Sequence, residues 1–295
     1  MRMRTDKGQV VRDVAFRGIG FEHTAFLMGP GGQKAGQSVA NVPDAMIRAN
    51  GAEKVVFENC RVAHAAMHGI WLRKGCKDSV IRHCLVEDLG AGGVYFGDMG
   101  ADFKNRENNA ANLEIVDSTI SENGCNTGSV TGRGIYMDGA NGAASLRVSN
   151  CLFTQNLLTV RTEVTDEAGM GLYLKNVRAT TVEDTRFTRS GFAIGSASGR
   201  DKSFGTIIHA EGSPITVERT RFAGIGVMIH GCGGIVYVMG ASGGSGFRNC
   251  SFTGSHGESY NGVSAYGGAL TINLSSPTAV ASVENCTFAY NVSPM

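Results

Sequence analysis

Three aspartates in this 295-residue chain stand beside short apolar segments that have an aromatic residue at their centre. Asp88 precedes the segment around Tyr95, and Asp98 follows it. Asp138 follows the segment around Tyr136. Hydrolysis of a glycosidic bond uses two carboxyl groups roughly 5–9.5 Å apart, one as an acid and the other as a nucleophile or a base that activates water. We predict Asp98 and Asp138 as this pair, with Asp88 as the substitute member. The sequence does not assign acid and base, and a capping role at a chain corner stays open for Asp88.

The aromatic residues themselves suggest a surface for sugar rings. Segments 69–72, 93–96, 134–137 and 171–174 share the order glycine, apolar, central Trp or Tyr, apolar. Because side chains alternate along a strand, the flanking apolar residues would fill a core and the central aromatic residues would point away from it. We therefore expect an exposed row of rings that fades in the later segments. The predicted substrate-binding residues, including neighbouring charged residues and histidines, are Trp71, Tyr95, Tyr136, Tyr173, Arg73, Lys175, His64 and His68.

Other interpretations of these residues remain open. The rings could simply stabilise neighbouring strands or lie beneath long loops. His64 and His68 could hold a metal, although histidines at strand ends are more often structural. Glu163, Asp166 and Glu167 could bind calcium through their oxygen atoms, although a solvated acidic loop is the favoured interpretation. We therefore expect no cofactor, with calcium as the one alternative.

A ninefold repeat must position these residues. Each copy has a short apolar strand, a corner residue that is usually Asn, Asp or Ser, a small inward residue and a second strand. Copies recur every 24–41 residues, helical periodicity is not sustained, and 42 glycines with only 5 prolines suit many turns and continuous strands. The pattern predicts an all-β fold, a single-stranded right-handed parallel β-helix of about nine rungs. The predicted small residues are Ile19, Cys60, Cys84, Thr119, Cys151, Thr185, Thr220, Cys250 and Cys286.

Composition narrows the classes of partner. Five of the eight cysteines share the small inward position, which indicates free, buried thiols rather than disulfides or zinc ligands. A net charge of +1 without a basic stripe argues against nucleic acid, and no apolar run is long enough to span a membrane. We expect no signal peptide and one domain over residues 1–295. This domain is a fragment lacking end caps, a matured product or a chain capped by partner subunits, and oligomers could form through uncapped ends. Analogy to other β-helices predicts an extracellular, periplasmic or cell-surface location.

Two family resemblances bear on function. Segments 16–23, 57–64, 68–72, 75–76 and 87–94, the last reading Glu-Asp-Leu-Gly-Ala-Gly-Gly-Val, occur in an order that resembles the right-handed β-helix enzymes of glycoside hydrolase family 141. This resemblance covers about residues 9–100 and implies hydrolysis of a plant or bacterial polysaccharide such as xylan or pectin. Segments 247–252, 267–270 and 285–291 resemble the repeats of polymorphic outer-membrane autotransporter adhesins, which implies a non-catalytic adhesin or structural β-helix. A polysaccharide lyase is the third alternative, with Arg73 or Lys175 as the base.

Overall fold

The computed structural model describes residues 1–3, 10–25, 44–97, 111–123, 134–139, 144–160, 167–194, 203–204, 207–229, 234–259 and 268–291. Every helix or strand within these ranges is a β-strand, and all of the strand pairs are parallel. The strands form three long sheets and two short ones. No helix in the described ranges has the length and apolar character needed to cross a membrane.

The front sheet has nine strands, and it carries the predicted aromatic segments. Its strands are Arg2–Met3, Ala45–Ala49, His68–Leu72, Val94–Phe96, Ile135–Asp138, Leu172–Lys175, Ile208–Glu211, Val236–Ala241 and Leu270–Leu274.

The second sheet has eleven strands, and it precedes the corner of each repeat. Its strands are Val11–Arg12, Ala15–Arg17, Ala52–Glu53, Val56–Glu58, Lys77–Arg82, Ala111–Val116, Ser145–Ser149, Ala179–Glu183, Ile215–Glu218, Ser245–Arg248 and Ala281–Glu284.

The third sheet has nine strands, and it follows that corner. Its strands are Gly20–Glu22, Arg61–Ala65, Leu85–Leu89, Thr119–Asn123, Leu152–Thr154, Arg186–Thr188, Arg221–Ala223, Ser251–Thr253 and Thr287–Ala289. The two short sheets come between the third and front sheets in chain order. Their strands are Leu157–Val160, Gly191–Ile194, Gly226–Ile229 and His256–Ser259, and Glu167–Ala168 with Ser203–Phe204.

Each turn of the chain runs through the second, third and front sheets and then returns one strand further along. Val56–Glu58 pairs with Lys77–Arg82, which pairs in turn with Ala111–Val116. Neighbouring strands of a sheet are therefore successive turns rather than hairpins, as parallel pairing requires. The fold is the predicted all-β, right-handed parallel β-helix.

The corner between the second and third sheets explains the repeat. Asn59, Asn150 and Asn249 adopt positive φ angles of 53°, 50° and 55°. Asparagine and aspartate tolerate this left-handed conformation better than other residues with a side chain. The next residue points inward, and the Cys60 thiol donates to the Phe16 carbonyl oxygen at 3.4 Å. A tight corner followed by a small residue is thus repeated from turn to turn.

One predicted member of the repeat is shifted by a residue. Asp117 has the positive φ angle, 48°, so Ser118 rather than Thr119 occupies the inward position. Ser118 is buried, and its hydroxyl oxygen accepts a hydrogen bond from the Cys84 N–H at 3.1 Å. Thr119 begins the third-sheet strand and pairs with Leu85. The sequence offers two small residues in succession, and the Asp117 conformation decides between them.

The interior is a continuous apolar core with stacked rings. Phe153, Phe187, Phe222, Phe252 and Phe288 follow one another on the third sheet, with ring centroids 4.7–5.1 Å apart. All six cysteines in the described ranges have free thiols, and burial raises the pKa of the Cys84 and Cys151 thiols to about 11. These thiols stay protonated at neutral pH and fill space as small hydrophobes do.

Candidate functional site

A row of rings runs along the outward face of the front sheet. Trp71, Tyr95, Tyr136 and Tyr173 lie opposite one another on four successive strands. Their ring centroids are 5.9, 5.0 and 5.4 Å apart along the row. The rings form a cluster of their own, separate from the main core, while the flanking Ile70 and Leu72 belong to that core. The alternation of inward aliphatic and outward aromatic residues follows the prediction.

The row continues further than predicted. His209 lies opposite Tyr173 at 4.9 Å between ring centroids, and Tyr237 lies opposite His209 at 5.7 Å. The sequence analysis expected the row to fade in the later segments, whereas Tyr237 continues it, and the preceding Val236 pairs with Ile208 and is buried in the core. We call the six residues Trp71, Tyr95, Tyr136, Tyr173, His209 and Tyr237 the aromatic row.

Most of the aromatic row is buried, so the expected exposure is wrong for its first members. Trp71, Tyr95 and Tyr136 are only 4%, 2% and 7% exposed, and Tyr173 is half-buried. Stacked neighbours cover the ring faces, and the Trp71 indole N–H donates to the Gly97 carbonyl oxygen at 2.9 Å. The first three rings therefore offer no free face to a sugar, whereas Tyr173 keeps part of its surface.

The glycine that precedes each aromatic segment is a packing requirement. A Cβ atom on Gly134 would lie 2.4 Å from the Gly171 carbonyl oxygen and 3.1 Å from the Phe153 ring. A Cβ atom on Gly93 would likewise lie 2.8 Å from the Gly134 carbonyl oxygen. Real Cβ atoms do not approach backbone so closely, so adjacent turns can meet here only without a side chain.

A second row, of charged residues, lies beside the aromatic row. Asp138, Lys175 and Glu211 lie opposite one another on three successive strands, each two residues after a member of the aromatic row. The Lys175 Nζ atom is 3.9 Å from Glu211 Oε2, and the Tyr173 hydroxyl donates to the same oxygen at 3.3 Å. Asp138 is 7% exposed. We call Asp138, Lys175 and Glu211 the charged row.

Electrostatics link the two rows. Burial raises the pKa of the Tyr136 phenol above its usual range, and the negative charge of Asp138 acts in the same direction. Tyr173, Tyr95 and Glu211 contribute further in that order. The Tyr136 phenol therefore stays protonated and remains a hydrogen-bond donor at all ordinary pH values.

The two carboxyl groups of the charged row, Asp138 and Glu211, lie two strands apart, with Lys175 on the strand between them. Adjacent strands of a sheet lie about 4.8 Å apart, so the Asp138 and Glu211 backbones, two strands apart, are separated by about 9–10 Å. The Glu211 carboxylate bonds to Tyr173 and faces Lys175, both on the strand between them, which brings it closer to Asp138. The sequence analysis missed Glu211 because Ile207 replaces the marker glycine and His209 replaces the aromatic residue. The alternation in residues 207–211 is the signal that could have found it.

His68 lies buried against the start of the aromatic row. Its ring centroid is 4.1 Å from that of Tyr95, and the residue is fully inaccessible. Its Nδ1 atom accepts a hydrogen bond from the Gly92 N–H at 2.9 Å, so the neutral ring carries its proton on Nε2. Nε2 has no hydrogen-bond partner among the residues that the structure describes. Burial lowers the His68 pKa to about 4.

Other predicted site residues are placed elsewhere. His64 and Asp88 lie at the ends of third-sheet strands rather than on the front sheet, where His64 Nδ1 is 2.8 Å from Asp88 Oδ2. Both have positive φ angles, 54° and 47°, as expected of corner residues. Arg73 stays with the aromatic row, its guanidinium carbon 4.7 Å from the centre of the Trp71 ring. Asp98 lies outside the described residues.

No metal centre is found within the ranges that the structure describes. No three side chains of His, Cys, Asp or Glu converge there in a way that could hold a metal ion. Of the acidic residues considered for calcium, Glu163 and Asp166 lie outside the described residues, and only the backbone of Glu167 is described.

A family model agrees with the observed architecture. Residues 36–169 match a family model described as a right handed beta helix region. A mutant of DFA-IIIase from Arthrobacter chlorophenolicus, in complex with DFA-III, is 12% identical over 96% of this chain and 66% of its own, with a TM-score of 0.43. A structure named glycoside hydrolase is 14% identical over 83% of this chain and 38% of its own, with a TM-score of 0.37.

A surface adhesin, PfbA of Streptococcus pneumoniae, is 10% identical over 97% of this chain and 74% of its own, with a TM-score of 0.33. The chain thus spans less than two thirds of the length of the first two structures. No curated protein sequence matches it.

Proposed function

We propose that this chain is a glycoside hydrolase acting on a plant or bacterial polysaccharide, with Asp138 and Glu211 as its two carboxyl groups. The observation that carries the proposal is the charged row, which sets two carboxyl groups two strands apart on the face that also carries the half-exposed ring of Tyr173. An extracellular or cell-surface location is part of the proposal, because such polysaccharides lie outside the cell.

The geometry suggests a role for each group. The side chain of Glu211 is 35% exposed and can receive a water molecule, so we assign it the base that activates water. Asp138 is then the acid that protonates the leaving oxygen. Tyr173 and Lys175 hold the Glu211 carboxylate between the two strands. Carboxyl groups separated by roughly 6.5–9.5 Å leave room for a water molecule and invert the anomeric centre. Inversion is therefore the expected stereochemical outcome.

Substrate contact would centre on the later part of the aromatic row. Tyr173 keeps part of its ring surface, which can lie against the apolar face of a sugar. Trp71, Tyr95 and Tyr136 would support it from one side as a packed stack. The binding roles predicted for Arg73, His64 and His68 stay predictions.

Release of reducing sugars from xylans and pectic fractions tests the proposal. We expect Asp138→Asn and Glu211→Gln each to lower kcat by about 10²–10⁴, the usual contribution of a positioned acid or base. Glu183→Gln on the outward face of the second sheet is the matched control and should retain full activity. Folded protein that is inactive on every fraction would contradict the proposal, and an unsaturated product would identify a lyase instead.

One observation favours a second function, a non-catalytic adhesin or structural β-helix. Burial of Trp71, Tyr95 and Tyr136 removes the exposed platform that a long sugar-binding groove would use. This alternative expects adhesion to a surface glycan or protein without turnover. Equal binding by the parent and by the Asp138→Asn and Glu211→Gln variants, with no product from any of them, would support it.

A further inference from the structure

The outward face of the second sheet contains a concavity that the proposed function does not use. It encloses about 400 Å³ and crosses four successive turns of the chain. Ligand sites in proteins commonly fall between about 300 and 1,000 Å³. Its lining residues include Asp78, Asn112 and Ser145 along one side and Glu114, Arg147 and Thr181 along the other. Val80 continues the Glu114 side and Ala179 continues the Ser145 side, and these two side chains contribute apolar surface. Leu113 and Leu146 also line the concavity, but they are only 2% exposed and belong to the core.

Hydrogen bonds fix the polar side of this concavity. The Asn112 side-chain amide donates to Asp78 Oδ1 at 2.8 Å, and the Ser145 hydroxyl donates to Asn112 Oδ1 at 2.8 Å. Within the described part of the chain, these bonds leave one Asp78 oxygen, one Asn112 amide hydrogen and the Thr181 hydroxyl without a partner. Donors and acceptors therefore alternate along the Asp78, Asn112 and Ser145 side, and these two bonds orient the Asn112 amide before any ligand arrives.

The charges of the concavity narrow the class of ligand. Asp78 and Glu114 are acidic. Arg147, the one basic residue among the described lining residues, already pairs with Glu114 and with Glu183, 2.6 Å from its Oε1. The surface is thus net negative and offers no unshared cation to an anionic ligand. Donors and acceptors along one side, together with the apolar side chains of Val80 and Ala179, suit a ring with hydroxyl groups at its edges and C–H bonds on its faces.

We propose that the second sheet carries a binding site for a neutral oligosaccharide. The site lies on a different sheet from the charged row. It goes beyond the proposed function and does not depend on it, because its polar groups hold a sugar without any reacting carboxyl group.

Asn112→Gly is the decisive variant. Asn112 has a φ angle of 57°, which glycine adopts without strain, so the change removes the amide and leaves the backbone in place. Asn150→Gly is the matched control. Asn150 has a φ angle of 50°, and its amide donates to Asp117 Oδ1 at 2.6 Å, outside the concavity. Both variants are made in the Asp138→Asn background, so that the probe is not consumed.

Calorimetric titration measures the affinity of the protein for xylohexaose and for cellohexaose. We expect at least one of them to bind, and Asn112→Gly to weaken that binding about tenfold, the effect of roughly one lost hydrogen bond left unreplaced. Asn150→Gly should stay within about twofold of the parent. Failure of both probes to bind, or equal affinity of the Asn112→Gly variant and the parent, would overturn the site. Stronger binding of an oligogalacturonide, which is anionic, at the same residues would contradict the proposal that the ligand is neutral.

Turnover separates this inference from the proposed function. With Asp138 restored, Asn112→Gly should hydrolyse a short soluble substrate at the parental rate. If the protein binds xylohexaose through Asn112 but shows no turnover, the second-sheet site is supported and the proposed hydrolase activity is contradicted. If the protein shows turnover but its sugar binding does not depend on Asn112, the hydrolase activity is supported and the second-sheet site is contradicted.

Discussion

The front and second sheets share one strand spacing but use their outward faces in opposite ways. On the front sheet, stacked rings and polar groups are buried together, including His68 and Asp138. On the second sheet, arginines and glutamates alternate in the open, as in the Arg17–Glu58–Arg82 series with distances of 2.7 and 3.1 Å. A second series of ion pairs joins Glu114, Arg147, Glu183 and Arg219.

The difference shows which sheet of the repeated fold can fix the geometry and shift the pKa values of functional residues. An exposed ion pair exchanges its partner for water at little cost, so it constrains geometry only weakly. Hydrogen bonds from Arg82 and Arg17 lower the pKa of Glu58, which only reinforces the charged form that a carboxylate already has at neutral pH. A buried polar group must find a fixed partner, and its protonation responds to its surroundings. The raised pKa of Tyr136 and the lowered pKa of His68 both belong to the front sheet. The front sheet therefore carries the better-tuned groups, although both sheets repeat the same turn.

The largest expected effect on stability tests the packing of the front sheet. Tyr136→Ala removes a buried ring between Tyr95 and Tyr173, and we expect it to lower the free energy of unfolding by about 3–5 kcal/mol. Tyr290→Ala is the control, since Tyr290 is 88% exposed and its loss should cost less than about 0.5 kcal/mol. Urea denaturation measures both. Similar losses for the two variants would mean that the aromatic row is not a packed stack.

The second prediction concerns the dependence of the free energy of unfolding on pH. The pKa of folded His68 is about 4, below its ordinary value of 6.5, so between these values the unfolded chain binds more protons than the folded chain. The free energy of unfolding should therefore fall as the pH drops from 6.5 to 4, and the His68 contribution is about 3 kcal/mol. Denaturation at several pH values measures the slope.

His68→Asn provides the comparison for that slope. The asparagine oxygen can accept the Gly92 N–H bond in place of Nδ1, and the side chain does not titrate. We expect the variant to lose stability less steeply than the parent as the pH falls from 6.5. Val280→Ala, at a 69% exposed residue that carries no ionisable group, should keep the parental slope. Parallel curves for the parent and His68→Asn would show that burial does not control this histidine.

Sequence was sufficient for the fold because the repeat encodes local conformation. A left-handed Asn or Asp followed by a small residue forces a corner, and alternation on either side sets the inward face. The prediction was wrong by one residue only at Ser118 and Thr119, where two small residues follow each other. There the choice depended on the conformation of Asp117, which composition does not reveal.

The candidate site was less predictable because it depends on contacts between turns. The glycine and aromatic markers found Trp71 through Tyr173 and, through Tyr136, the neighbouring Asp138. They could not find Glu211, which reaches the same face after a segment that lacks both markers. Burial of the rings also escaped prediction, because alternation tells which way a side chain points and not what covers it.

The smallest expected effect lies on the second sheet, where Arg147 joins Glu114 and Glu183. Arg147→Met keeps most of the apolar stem and removes the charge, and the side chain is 45% exposed. We expect a loss of less than about 1 kcal/mol, which should shrink further in about 1 M salt because exposed charges are screened there. Glu183 keeps Arg219 at 3.2 Å after the change, so no buried charge is left alone. A loss as large as that of Tyr136→Ala, undiminished by salt, would mean that ion pairs hold the second sheet as firmly as rings hold the front sheet. The two sheets would then differ in their residue types but not in how strongly their outward side chains stabilise the fold.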